Sequence, residues 1–398
     1  MKELNFSEYI NQENSNVFFY KIGIIGPSRV GKTSIIATLL DQAQDALAQT
    51  GISIKAFEEK DENGNLMSET KERIKTTKSQ INSGLRFCEF NPTGRGTTDP
   101  FIFDLVMKIT RQNQSNQFSQ LRLAILDYPG NAPKDSNQDW EKYQAWIHDS
   151  SAIIVPIDSN LVMEVENKDH YEASQTSLQV QLIEEVVRDW AKIRWEKQES
   201  GLLLLVPVKC ETYFDDNGGQ EDKSEQLYEE TCDFYKNVIS AVETEMAEKT
   251  QPTSNDYPVR DNSYTFREVL SRISKKLNPK KPTYSIEYHP VDTIGCIELK
   301  NASWRKDEKG ELFLDCEYII RNPSNSKQRT PFGADGIIYS ICQQMVENRQ
   351  NSFIFRRLWD WLGGNNKVLA NAINQLSQKP QSRRFKQIKK GNLGRKNS

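Results

Sequence analysis

Residues 26–34, "GPSRVGKTS", follow directly on the apolar run "VFFYKIGII" at positions 17–25. Phe18, Phe19, Ile22, Ile24 and Ile25 are aromatic or β-branched and show no helical period, so the run reads as a strand. After the loop, Ile36, Leu39, Leu40, Ala43 and Leu47 recur at helical spacing. The order is strand, glycine loop, helix, and the loop fits the pattern G-x-x-x-x-G-K-[ST] with Gly26, Gly31, Lys32 and Thr33. Gly26 and Gly31 let the backbone turn without Cβ clashes. Backbone N–H groups then converge on an anion at a helix N-terminus, where the dipole favours negative charge. Pro27 has no N–H, so the donors come from Arg29 onward. Lys32 can reach β- and γ-phosphates, and Thr33 offers a hydroxyl to Mg²⁺. The candidate nucleotide-binding residues of this stretch are Gly26, Ser28, Arg29, Val30, Gly31, Lys32, Thr33 and Ser34.

Composition sets outer bounds. A chain of 398 residues holds two or three ordinary domains or one elaborated one, and 36% apolar residues support a sizeable core. Net charge is −3, but its distribution is uneven: from Lys379 onward there are eight basic residues and no acidic one. The six cysteines (88, 210, 232, 296, 316 and 342) form no C-x-x-C pair, and the three histidines are far apart. That spacing argues against a zinc cage or a disulfide framework. The opening "MKELNFSEYINQENSN" has no apolar core of a leader, and no apolar run approaches the roughly 18 residues of a membrane span. The expectation is a soluble, cytoplasmic protein.

The next strands narrow the class. "PFIFDLVMKIT" (100–110) and "QLRLAILDYPG" (120–130) are strand-like and separated only by "RQNQSNQFS". A parallel crossover needs about a dozen residues, so these two should form an antiparallel hairpin. Strand-like "SAIIVPID" (151–158), "GLLLLVPVKCE" (201–211) and "YSIEYHPVDTIGCIEL" (284–299) then alternate with helical patterns at 177–195, 225–245 and 265–277. Such alternation predicts an α/β fold, a mostly parallel sheet with one antiparallel strand and helices on both faces.

Phosphate loop, helix, antiparallel strand pair and then Asp127-Tyr128-Pro129-Gly130 resemble the G domain of the Ras-like and dynamin-like P-loop GTPases, whose D-x-x-G is often D-x-P-G. The resemblance covers about residues 17–300 and implies a Mg²⁺-dependent GTPase cycling between GTP and GDP. It makes Asp127 a Mg²⁺ partner and Gly130 the γ-phosphate sensor. It places a switch threonine at Thr98, with Thr97 as alternative, so the metal set is Thr33, Thr98 and Asp127. Arg95, three residues before Thr98, stands at the offset of the built-in arginine finger of heterotrimeric G-protein α subunits. A solvent-facing arginine is the competing reading, and Arg29 is a second finger candidate. The catalytic set is thus Lys32, Thr98, Gly130 and Arg95. Asn131 stands where many relatives carry Gln.

The family reads guanine with N-K-x-D; here the position holds Val208, Lys209, Cys210 and Glu211. Lys209 and Glu211 are the base-reading candidates. Val208 cannot supply the Asn amide, which leaves adenine open beside the favoured guanine. "DTIG" (292–295) falls where a base-contacting loop would lie.

The implied layout is an N-terminal arm (1–16), a G domain (17–349) and a C-terminal aromatic helix with a basic tail (350–398). The G domain carries an insertion at 50–96 with a charged helix, extra strands at 300–321 and a closing helix at 334–347. It is similar to G-domain modules of bacterial multi-gene conflict or defence systems. "FIFRRLWDWLGG" (353–364) reads as an aromatic helix packed on the domain, with a partner or membrane-surface site as the alternative. The tail "RRFKQIKKGNLGRKNS" is expected to be disordered, with an acidic partner, RNA or a lipid surface as its candidate contacts. The leading expectation is GTP hydrolysis coupled to a conformational switch that controls a protein partner. A nucleotide-binding scaffold with little turnover, or an ATPase, is the alternative.

Overall fold

A computed structural model of the chain describes residues 9, 17–48, 50–60, 66–87, 101–109, 120–127, 137–216, 221–247, 281–295, 297–320, 330–365 and 367–394. Its strands are β1 (Val17–Ile24), β2 (Ile52–Ala56), β3 (Glu59–Lys60), β4 (Leu66–Met67), β5 (Phe101–Ile109), β6 (Gln120–Asp127), β7 (Ala152–Asp158), β8 (Gly201–Val208), β9 (Thr283–Tyr288), β10 (Ile297–Lys306), β11 (Leu312–Ile320) and β12 (Lys386–Asn392). The helices are α1 (Lys32–Leu47), α2 (Glu69–Phe87), α3 (Asn137–Asp149), α4 (Ser159–Met163), α5 (Lys168–Ser177), α6 (Val180–Glu196), α7 (Ser224–Phe234), α8 (Lys236–Met246), α9 (Asp335–Glu347), α10 (Phe353–Asn365) and α11 (Lys367–Ser377). The helix expected at 265–277 lies outside the described residues.

Eight strands form one sheet in the order β12-β9-β8-β7-β1-β6-β5-β2. β6, β1, β7, β8 and β9 run parallel, and β5 pairs antiparallel with β6 as a hairpin. Two strands, not one, run against the parallel set, because β12 adds antiparallel to β9. The apolar runs are what a sheet covered on both faces requires. Ala152 and Ile154 of β7, with Leu202, Leu204, Val206 and Val208 of β8, meet α1, α9, α10 and α11. The alternating residues Ile153, Val155, Leu203 and Leu205 meet α6 and α8. The continuous helical patterns of the sequence break where Gln179 takes φ 53 and where Tyr235 leaves helical geometry. Neither residue type announces such a break. Among the described residues no helix is long and apolar enough to cross a membrane.

The C-terminal residues belong to the same body. In α10, Phe355, Leu358, Trp359 and Leu362 are buried in the core cluster that holds α1. Trp359 Nε1 donates to the Met345 carbonyl at 2.8 Å. The Glu199 carboxylate accepts from the Ser352 hydroxyl and, at 3.2 Å, from the Ile354 N–H, where negative charge suits a helix N-terminus. The aromatic stripe is therefore a packing surface.

The basic tail corrects an expectation. Among its described residues, which end at Gly394, Lys386–Asn392 form an edge strand instead of a disordered segment, and five basic side chains are matched within the chain. Arg383 pairs with Asp215 and Asp216, Arg384 with Asp216 and Asp292, Lys386 with Glu225, Lys389 with Glu243 and Lys390 with Glu347. Leu393 and Ile388 join the core on the α6/α8 face.

If α10 is a packing surface, Trp359→Ala should cost about 3–5 kcal/mol. Phe353→Ala, at a side chain 56% exposed, should cost less than about 0.5 kcal/mol. Urea unfolding of the two variants checks this; similar small losses would place the aromatic stripe at the surface.

Candidate functional site

The glycine loop sits at the carboxyl end of the central strand β1. The parallel register of β1 and β6 sets Ile24 opposite Asp127, so both strand ends meet beside the loop. A Cβ on Gly26 would lie 3.1 Å from Pro156 Cγ, and Gly31 turns at φ +103 into α1. Both positions are glycine for a physical reason: a close approach to β7 in one case and a left-handed turn in the other. Arg29 also takes a positive φ of 66, and its side chain is exposed. Val30 is buried, while Ser28, Thr33 and Ser34 are half-buried. The first turn of α1 carries no acidic residue.

Lys32 points into the loop. It is 6% exposed, and its Nζ donates to the carbonyls of Gly26 (2.8 Å) and Pro27 (2.7 Å). Burial lowers its pKa to about 8, while the Asp127 carboxylate pulls the other way. Beside it, the Thr33 hydroxyl donates to Asp127 Oδ2 at 2.9 Å, and Asp127 is fully buried. A hydroxyl and a carboxylate held together are hard oxygen donors, the set that suits Mg²⁺. Thr97, Thr98, Arg95, Gly130 and Asn131 lie outside the described residues.

A second cluster forms at the ends of β7 and β8. Val208 is buried, and its Cγ2 lies 3.7 Å from where a Cβ on Gly31 would be, so this cluster abuts the loop. Lys209, at φ 55, ion-pairs with Asp158 at the end of β7. Burial depresses its pKa, and the Asp158 charge more than reverses that, so the net shift is upward. Glu211 begins a single 3-10 turn, Glu211–Tyr213, and is 2% exposed. Its Oε1 accepts from the N–H groups of Ile294 (3.3 Å) and Gly295 (3.2 Å). The segment 292–295 therefore does face Glu211. It admits only glycine at 295, where φ is +68 and a Cβ would lie 2.2 Å from the Thr330 carbonyl.

Sequence reasoning brought Gly26 through Ser34 together with Asp127, and Lys209 with Glu211. It singled out the 292–295 segment and included Cys210 in the motif without giving Asp292 or Cys210 a role of its own, and it missed Asp158 and Arg384, which also surround the second cluster. Asp158 left one signal, a charge closing the apolar run of β7. Descent adds nothing to the geometry, since the sequence matches no protein-family model and no curated protein.

Glu211 gives this cluster a pH signature. Its pKa rises from 4.5 to about 7, first through burial and then through the nearby charge of Asp292. Between those values the folded chain holds a proton that the unfolded chain releases, so stability falls as pH rises through the window. Relative to Glu211→Gln, the wild type should lose about 3 kcal/mol between pH 4.5 and pH 7. Urea midpoints of both chains at pH 5 and pH 8 read the change; a constant difference would mean that Glu211 is ionised throughout.

Proposed function

We propose that the chain is a P-loop NTPase of the G-domain type, which binds a nucleoside triphosphate, preferably GTP, and hydrolyses it to switch a partner. The observation that carries this reading is Lys32 held between two loop carbonyls beside the Thr33–Asp127 pair. A buried ammonium whose hydrogen bonds, among the described residues, go to neutral carbonyls gains most from an entering anion. It can exchange Gly26 and Pro27 for β- and γ-phosphate oxygens without travelling. The loop lies outside the carboxyl ends of the parallel strands, where open α/β sheets bind ligands. β6 and β7 flank β1 on opposite sides, which opens the crevice at that point.

Thr33 and Asp127 would hold Mg²⁺, with Thr98 completing the set as the resemblance implies. The ion would supply charge neutralisation at the β- and γ-phosphates. Lys209 and Glu211 form the wall that would meet the base, Glu211 accepting from the guanine N1 and N2 donors. Gly130 would sense the γ-phosphate, and Arg95 or Arg29 would stabilise the transition state.

The test is phosphate release and binding with GTP and Mg²⁺. Lys32→Ala should weaken triphosphate binding roughly ten- to a hundredfold, the loss of one charged hydrogen-bonding partner, with the melting temperature changed by only a few degrees. Undiminished binding in that variant sinks the phosphate-loop reading.

One observation favours an adenine nucleotide. Val208 occupies the position of the guanine-reading amide, and it is buried and apolar against Gly31. Competition between fluorescent guanine and adenine nucleotides decides. At pH 8, above the titration of Glu211, the guanine reading expects at least a tenfold preference for guanine, because ionised Glu211 repels the acceptor N1 of adenine.

A further inference from the structure

Arg384, in the C-terminal arm just before β12, is buried at 3% exposure. Its Nη1 donates to Asp292 Oδ2 at 2.8 Å, its Nε donates to Asp216 Oδ2 at 3.2 Å, and its Nη2 bonds Asp216 Oδ1. Its guanidinium lies 3.9 Å from the ring centre of Phe214 and 4.6 Å from that of Phe332. The other oxygen of Asp292 accepts from Cys210 Sγ at 3.2 Å. Arg384 thus ties together two segments far apart in sequence. One is 210–216, which begins with Cys210 and Glu211. The other is 292–295, whose N–H groups bind Glu211. Only a planar fork spans two carboxylates while stacking between two rings; a lysine ammonium cannot. The strand that follows, β12, anchors the arm to β9.

We infer that Arg384 is a positioning residue for base selection: by pairing with Asp292 and clamping the 292–295 segment, it holds Glu211 in place as the acceptor for the base and so sets the preference for guanine over adenine. The inference rests on the proposed nucleotide site. Its physics is charge balance. Asp292 and Glu211 are both buried, Glu211 accepts from the N–H groups two and three residues past Asp292, and like charges in a shared site disfavour ionisation. With Arg384 present, the Asp292 charge is matched. Without it, the Asp292 charge adds to the burial that already raises Glu211 and shifts the carboxyl further toward its protonated form, a donor that complements the acceptor N1 of adenine instead of the N1–H of guanine. The phosphate loop makes none of the contacts described for Arg384, so phosphate affinity is independent of it.

The experiment measures, at pH 8 where wild-type Glu211 is ionised, the affinities of the full chain for GTP, ATP and inorganic tripolyphosphate, the last reading the phosphate loop alone. Arg384→Met is expected to lower the GTP-to-ATP affinity ratio at least tenfold, with tripolyphosphate affinity within twofold of wild type. Adding Asp292→Asn removes the unmatched charge and should bring the ratio back to within threefold of wild type. If Arg384→Met does not fold, Arg384→Lys carries the test, with a threefold or greater loss in ratio expected at unchanged tripolyphosphate affinity. A ratio that does not move, a ratio that stays low in the double variant, or equal losses for all three ligands overturns the inference. A wild type that binds tripolyphosphate no better than Lys32→Ala overturns the phosphate-loop reading instead, and this inference with it.

Discussion

The register between β1 and β6 is the constraint on which the rest depends. Ile24 stands opposite Asp127 at the last step of the pairing, and Phe101 of β5 faces Asp127 from the other side. In a sheet a slip of one residue sends every side chain to the opposite face. Here that slip would cost the core first. Leu123 and Ile125 belong to the face covered by α1, and Ala124 and Leu126 to the face covered by α3. Asp127 reaches Thr33 only in the register that satisfies both faces. The chemistry at the strand end is thus fixed by apolar packing several residues away, and no separate device is needed to aim the carboxylate.

Three buried charges among the described residues contrast with Lys32. Asp104 is bonded by Arg122, Arg194 lies near Glu199 and donates to the Ser200 carbonyl, and Arg384 is matched by Asp216 and Asp292. Each of these has an oppositely charged neighbour, which is what retaining a charge in a low-dielectric interior requires. Lys32 differs: the hydrogen bonds of its ammonium described above all go to backbone carbonyls, and Asp127 acts on it through the field alone. Burial that lowers a pKa marks an ammonium whose charged form is under-stabilised. An arriving phosphate is the group that would relieve it.

The two ends of the site were legible to different degrees, for physical reasons. The phosphate end is almost contiguous in sequence, and each residue there answers a local demand: Gly26 for a close approach, Gly31 for a positive φ, Lys32 and Thr33 for the start of a helix. The strands that carry it are buried on both faces and show as apolar runs. The second cluster has no such contiguity. Glu211 is partnered by main-chain N–H groups more than 80 residues later, and a backbone donor leaves no trace in residue type. The tail was misread because its charge dominates its composition. Its strand period is also interrupted, since the register of β12 on β9 shifts between Gln387 and Lys389 and leaves Ile388 as an extra residue. A bulge destroys the period-two signal by which a strand is recognised. What remains is Phe385, Ile388 and Leu393 among lysines, which composition alone describes as a solvated tail.

This asymmetry has a consequence for how such a site can change. A phosphate loop whose parts are neighbours in sequence is held by local backbone geometry and by the strand beneath it. Substitution within it meets steric limits at once, as the contact between Gly26 and Pro156 illustrates. The other wall is assembled from segments at 208–216, 292–295 and 382–385, joined by ion pairs and by the positive φ of Gly295. Electrostatic balance in such a cluster can be altered by one charge without moving a strand. On the proposed function, phosphate binding and base choice would therefore respond to different parts of the chain. On that same reading, a protein built this way could alter which purine it accepts while the loop proposed to hold the triphosphate stays as it is.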